Sequence, residues 1–369
     1  MFRNYRLKNF NLPLMLSVFA ISLMGIFVIG SANSDYQNRQ IMGMLIGVVV
    51  MAVVALIDYD FVLQFYWLYY AGVIFLLSSV LILGDSAKGA KRWIDLDFIR
   101  FQPSELAKIF LVLFFAGYLP KYAEELNTPK RLFITACLAG VPLFLIMQEP
   151  DLSTTIVTFL VIAAMVFFAG LSYKICAWAL GIGIVGISGA LIFLTHSGGS
   201  LLKSYQNTRI LAWLYPDDYP QDSYQQQNSI MAIGSGQLLG KGLNNESIES
   251  VKNGNYISEP QTDFIFAVAG EELGFLGSLC IIGILFSVTI FCLYSAKKAK
   301  NLFGALICVG MASIVGFQTF VNICVVTGLM PNTGLTLPFM SYGLTSLVTL
   351  YFGMGFVLNV SLQAKKYLD

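Results

Sequence analysis

Residues 12–31 read LPLMLSVFAISLMGIFVIGS, an unbroken stretch without a single charge. A helix rising ~1.5 Å per residue needs ~20 apolar residues to cross a hydrocarbon core of ~30 Å, so this stretch is long enough to span a bilayer. Outward from it lie nine more of the same kind, at roughly 40–57, 61–83, 103–119, 132–148, 153–170, 175–195, 272–296, 302–327 and 336–361. Arg3, Arg6 and Lys8 precede the first stretch as they would in a signal peptide. Its apolar run is long for such a leader and further spans follow, so it reads as a retained helix. Of the 369 residues, 57% are hydrophobic and only 12% charged, and the mean hydropathy is +0.72. A soluble domain carries about 25% charged residues. The composition therefore excludes a soluble enzyme, a disordered chain and a secreted disulfide scaffold. The expected fold is all-α: a polytopic integral membrane protein of about ten transmembrane helices. It is read as a single membrane domain over 1–369, with a large extracellular loop, about 196–271, between helices 7 and 8.

Lys and Arg in the connections set the orientation. With the N-terminus in the cytoplasm, that side holds twelve of them, against five outside once the long loop is set aside, because long loops cross regardless of charge. Both termini are thus expected in the cytoplasm. Lys+Arg 22 against Asp+Glu 21 leaves no large basic face for nucleic acid. Six cysteines all lie in apolar runs without a C-x-x-C pair and read as small core residues. His196 is the only histidine, which rules out a metal site built on imidazole pairs. There is no strong internal repeat of the kind that inverted-repeat transporters carry.

The long connection holds Arg209-Ile210-Leu211-Ala212-Trp213-Leu214, suited to an amphipathic turn at the interface with Trp213 among headgroups. A polar tract, Asp217 to Asn228, and a glycine-rich stretch, Gly234 to Gly242, follow. The latter fails the dinucleotide fingerprint at Leu239 and the phosphate-loop pattern at Gly242, and reads as tight turns.

Charges at span boundaries are the candidate chemistry. Glu105 and Lys108, three apart behind Pro103, share a helix face. They are either a structural ion pair or the wall of a polar cavity open to the outer leaflet, since an intramembrane charge normally faces a partner or a cavity. Arg92 beside Trp93 suits a phosphate at headgroup level or plain interfacial anchoring, and Arg39 is a weaker case of the same. Glu149 and Asp151 offer oxygen ligands to a divalent cation. Asp151 would equally cap the helix that begins at Leu152. Asp263, entering an apolar stretch behind Pro260, is either a general base in a partly desolvated cleft or an N-cap.

Seven motifs together resemble the SEDS family (shape, elongation, division and sporulation) of the RodA/FtsW type. They are Gly89–Ile94, Gln102–Lys108, Glu149–Leu152, Tyr224–Ser229 with Ala232–Gly236, Gly240–Gly242, Glu259–Phe266 with Glu271–Gly277, and Pro331–Tyr342. One departure is Leu344-Thr345 after Ser341-Tyr342-Gly343, where the family usually shows Gly-Ser. The short termini look more like the elongation type than the division type. The resemblance implies a bacterial cytoplasmic-membrane peptidoglycan glycosyltransferase. It would polymerise lipid II, the undecaprenyl-diphosphate-linked disaccharide peptide, into β-1,4 strands at the outer face. A class B penicillin-binding protein would be its partner. Asp263 matches the family's essential aspartate, Glu105 and Lys108 its fourth-helix pair, and Arg92 and Asp151 other sensitive positions. Gln227 lies in a matched motif and joins the expected substrate-binding set. The diphosphate would be neutralised by Lys108, Arg92, Arg39 and Arg209, with a divalent cation, Mg or Mn, as a further candidate. Two other readings remain at this level. A lipid II flippase would use the Glu105–Lys108 pair for alternating access, and a non-catalytic scaffold would not need Asp263.

Overall fold

The computed structural model describes residues 5–87, 90–95, 100–149, 151–196, 204–244, 254 and 256–364. Gly89, Pro150 and parts of the long loop, which the sequence singles out, lie outside them.

Asn33 turns the chain between α1 (Leu12–Ala32) and α2 (Ser34–Ala55), ending one helix and accepting from Asp35 N to start the next. α3 (Tyr59–Leu63) and α4 (Tyr66–Leu83) make the third crossing. Next come three short antiparallel strands, β1 (Asp85–Ala87), β2 (Ala90–Asp95) and β3 (Arg100–Phe101), in the order β1-β2-β3. This small hairpin is an addition to an otherwise helical chain. α5 (Pro103–Tyr118), α6 (Pro129–Gln148), α7 (Leu152–Phe168) and α8 (Tyr173–His196) follow. The long loop contributes α9 (Ser204–Leu214) and α10 (Pro220–Ser235), and the chain ends with α11 (Ile265–Lys298), α12 (Leu302–Val326) and α13 (Leu344–Leu362). Among the described residues, seven helices are long and apolar enough to cross a membrane: α1, α2, α5, α6, α11, α12 and α13. The shorter apolar α4 and α7 and the 24-residue α8 complete the ten expected crossings.

Three boundaries differ from the sequence reading. The last span begins at Leu344 rather than 336, because Pro338 lacks an N–H and Gly343 precedes the helix in extended backbone. α11 starts seven residues early, at Ile265, and is broken at Gly274, whose φ of 67° only glycine adopts cheaply. The polar tract of the long loop is helical. Pro220 starts α10, and its buried side chains are Ser223, Gln226, Asn228, Ser229 and Ala232. Apolar periodicity cannot reveal a helix whose inward face is mostly polar.

α5, α12 and α13 form the centre: 83%, 78% and 72% of their apolar windows are buried, against 17% for α6. Phe75, Phe133 and Trp178 stand exposed on the periphery, as lipid-facing residues do. Close approach depends on small residues. A Cβ at Gly47 of α2 would lie 2.6 Å from the Tyr351 ring of α13, and one at Gly25 of α1 would lie 2.7 Å from the Met340 carbonyl oxygen.

Because the obstacle at Gly25 is backbone, Gly25→Val is expected to destabilise the protein by about 1–3 kcal/mol through overpacking. Gly140→Val, where a Cβ meets nothing within 4 Å, serves as the control. Thermal unfolding in detergent checks this, and equal midpoints for the two variants would refute the packing account.

Candidate active site

The N-terminal segment and the end of α13 meet where Arg6 N donates to Leu362 O at 3.0 Å. The candidate site lies at the opposite end of the bundle. It is built around residues 327–343, the non-helical segment between α12 and α13. Backbone polar groups away from water must find partners inside the protein, and here side chains supply them. Trp213 Nε1 donates to Gly328 O (2.8 Å), Gln226 Nε2 to Val325 O and Met330 O (2.6 and 2.7 Å), and Ser229 Oγ to Val326 O (2.8 Å). This explains the polar inward face of α10: it caps the carbonyl end of α12. Arg209 donates to Asn332 O, Ser153 to Thr333 O, Asn322 to Leu335 O, Gln318 to Thr336 O and Gln40 to Ser341 O, all within 2.6–3.1 Å.

The segment in turn grips the approach to α11. Tyr342 N donates to Gln261 O (2.9 Å), Ser341 Oγ to Thr262 O (2.7 Å) and Asn322 Nδ2 to Asp263 O (2.9 Å). Three consecutive carbonyls are thereby fixed, and Asp263 is placed by its neighbours' bonds. α11 has Phe264 at its N-cap with no side-chain cap bond, so Asp263 is not capping it. Asp263 is half-buried. Its Oδ2 lies 3.2 Å, and an Arg209 guanidinium nitrogen 3.9 Å, from where a Cβ of Gly334 would sit. Gly334, with φ +70°, leaves room for both. Burial raises the Asp263 carboxyl to about 6. Arg209 and Arg92 pull it down, and Asp151 and Glu259 push it up.

β2 carries Arg92 to the α6–α7 turn, where its Nε donates to Glu149 O at 3.1 Å and its guanidinium lies 3.9 Å from Asp151 Oδ2. Asp151 Oδ1 accepts from Thr154 N and Ser153 Oγ, both at 3.0 Å, so it caps α7 and faces Arg92 at once. Glu149 is fully buried, and among the described residues neither carboxylate oxygen has a hydrogen-bond partner. Burial pushes its carboxyl to about 8, with Asp151 adding to the rise and Arg92 opposing it. Ser153 joins this group to Thr333, one residue from Gly334, so one segment links Arg92, Glu149 and Asp151 to Asp263 and Arg209.

Glu105 and Lys108 take the enclosed form. They are 5% and 2% exposed and 2.8 Å apart, with Ser346 Oγ on Glu105 Oε2 at 3.1 Å. Lys108 Nζ also donates to Gln318 Oε1 at 3.2 Å, which turns the Gln318 amide nitrogen toward Thr336. Lys108 thus reaches the unwound segment through Gln318, and among the described residues both charges of the pair are enclosed. Arg39 on α2 and Gln227 on α10 are exposed, and no contact among the described residues brings either to Asp263. Gln226, next to Gln227, is the buried one. Residues 237–242 pair with the kink of α11: Phe275 N donates to Gln237 O (2.8 Å), Gly242 N to Glu272 O (2.9 Å), and Lys241 meets Glu271 at 2.8 Å. The sequence reading omits Gln40, Gln318, Asn322, Gln226 and Ser229. Gln318 and Asn322 did carry a signal: two amides four apart share one face of an otherwise apolar helix.

Two outcomes follow from the buried charges. Lys108→Met leaves Glu105 buried and unpaired and is expected to cost ~3–5 kcal/mol. Adding Glu105→Gln should recover part of the loss, and unfolding midpoints that fail to recover would refute an unpaired-charge cost. For Glu149 the folded carboxyl stands near 8 against about 4.3 in an unfolded chain. The folded state then holds more protons between these values, so stability falls as pH rises through that window. Glu149→Gln is expected to flatten the decline in unfolding midpoint between pH 5 and 8 on the order of the window itself; an unchanged slope would show that another group carries it.

A family model described as cell cycle protein, FtsW/RodA/SpoVE, matches residues 8–366. The probable peptidoglycan glycosyltransferase FtsW of Geobacter sulfurreducens is 34% identical over 379 residues, 97% of each chain. Stage V sporulation protein E of Bacillus subtilis is 35% identical over 367 residues, covering 95% of this chain and 96% of that one. Among solved structures, a chain from a peptidoglycan synthase complex, described as coordinating polymerization and crosslinking, superposes with a TM-score of 0.78 at 27% identity. It covers 99% of this chain and 100% of its own. The rod shape determining protein RodA of Thermus thermophilus gives a TM-score of 0.68 at 26% identity over 97% of each chain. On a match that runs almost from end to end, the chain belongs to the FtsW/RodA/SpoVE family of cell cycle proteins.

Proposed function

We propose that the chain is a peptidoglycan glycosyltransferase that polymerises lipid II into β-1,4 glycan strands. The observation that carries this reading is Asp263, a half-buried carboxylate raised to about 6 and set beside Arg209 at one end of an apolar bundle. A base with a pKa just below neutrality is largely ionised at pH 7 and still accepts a proton readily. In the proposed step Asp263 takes the proton of the acceptor sugar hydroxyl as that oxygen bonds to the donor's anomeric carbon. The bond from this carbon to the lipid diphosphate breaks, and its electron pair leaves with the diphosphate. In-line attack inverts an α-linked donor to a β product. A glycosidase needs a second carboxyl to protonate a poor leaving group; a diphosphate leaves without one when cations neutralise it. Arg209 and Arg92 both act on Asp263 electrostatically, which supports that role for them.

Among the described residues no three His, Cys, Asp or Glu side chains gather to hold a metal. A divalent cation would therefore depend on the diphosphate for most of its ligands, as Mg²⁺ commonly does, and no step here is routed through it. The proposal includes a class B penicillin-binding protein as partner, supported by the likeness to the synthase-complex chain. It places both termini in the cytoplasm and Asp263 outside, supported by the Lys and Arg bias of the connections. The names of the glycosyltransferase relatives also support the activity.

Asp263→Asn is expected to fold normally and to lose ~10²-fold or more in lipid II polymerisation, the usual range for a general base. In the wild type the rate should fall as pH drops through about 6, because protonated Asp263 cannot accept the hydroxyl proton. Polymerisation by purified protein, with and without the partner, checks both. Wild-type rates from well-folded Asp263→Asn would sink the general-base role.

A further inference from the structure

A cleft of about 410 Å³ opens at the other end of the bundle, between the segment leading into α1 and the last turns of α11 and α13. Its lining has a distinct division. Lys8 and Lys298 supply charge, Phe10, Ile290 and Phe291 supply apolar wall, and Asn11 and Ser295 supply a polar floor. The floor is rigid: Asn11 Nδ2 donates to Ser295 Oγ at 2.9 Å and to Phe291 O at 3.1 Å, with both side chains buried. Lys298 Nζ is held 4.3 Å from the centroid of the Tyr294 ring.

Two other cations at this end are held by carboxylates. Lys300 pairs with Asp60 at 2.6 Å and Arg131 with Glu125 at 2.6 Å. Among the described residues, no carboxylate pairs with Lys8 or Lys298, and none lines the cleft. The cleft lies where α1 begins and α11 ends. Both are ends of membrane crossings, so its mouth is at headgroup depth whichever way the protein is oriented. Ile290 and Tyr294 are 44% and 51% exposed on the flank of α11, continuing the apolar wall toward the bilayer.

We infer that this cleft is a binding site for an anionic glycerophospholipid: its phosphate lies between Lys8 and Lys298, and its glycerol and upper acyl chain lie along Phe10, Ile290 and Phe291. A phosphodiester satisfies the ammonium groups, and an acyl chain covers apolar surface that a free phosphate would leave bare. The site is remote from Asp263 and does not depend on the proposed polymerase activity.

Native mass spectrometry of the full chain released from detergent, with added phosphatidylglycerol or phosphatidylcholine, tests the inference. The wild type should retain phosphatidylglycerol in preference. Each lysine lost should weaken retention about five-fold, and Lys8→Gln/Lys298→Gln about 20-fold together, on the usual worth of a basic residue near an anionic headgroup. Lys298→Arg should keep the preference, as should the control Lys121→Gln/Lys130→Gln. Glycerol 1-phosphate in excess should not displace the lipid. Undiminished retention by the double variant, equal retention of the two lipids, or full displacement by glycerol 1-phosphate would each overturn it.

Discussion

An unwound backbone between α12 and α13 must have its carbonyls satisfied without water, and much of the rest of the structure follows from that constraint. A lipid-exposed irregular segment would leave polar groups at a cost of several kcal/mol each. Here donors arrive from α2, α7, α9, α10 and α12. The segment is held from almost every side, and it holds residues 261 and 262 in return, with Asn322 of α12 holding Asp263 O. Asp263 is thus a catalytic candidate whose position is set by the bonds on its own carbonyl and on those of the two residues before it.

The buried polar residues of the central helices belong to the same arrangement. Glu105 and Lys108 look extravagant as an ion pair, since a buried pair often adds little net stability. Their geometry suggests a different worth. Lysine only donates, so its bond to Gln318 Oε1 forces the other end of that amide toward Thr336. A charge pair in α5 therefore fixes which way a neutral side chain in α12 points. Both charges are enclosed and engaged.

Hydropathy made the ten crossings legible, because a bilayer demands apolar length and little else. It also placed Asp151 at a turn, and Asp263 and Arg92 at boundaries. It could not see where α13 begins, since Leu335, Leu337, Phe339 and Met340 keep the stretch apolar up to Gly343 while the backbone is already unwound. Nor could it see α10, whose inward face is polar because it meets carbonyls rather than side chains. The choice between base and cap at Asp263 could not be settled from spacing. It turns on Phe264 occupying the cap position, which only the backbone reveals. Along α10, Gln227 is exposed while its neighbour Gln226 is buried against the carbonyls of Val325 and Met330, a division that motif matching does not resolve.

Among the described residues, the side chains that donate to the carbonyls of the unwound segment all precede it in the chain, from Gln40 to Asn322. A ribosome delivers them first. When residues 327–343 emerge, the side chains able to receive their carbonyls already belong to inserted or tethered helices, and the segment enters a template rather than bare lipid. The reverse order would require an irregular stretch to wait in the bilayer with its carbonyls unmatched. Biogenesis therefore has a direction built into it. The last hairpin transplanted alone into a membrane would have no stable place there.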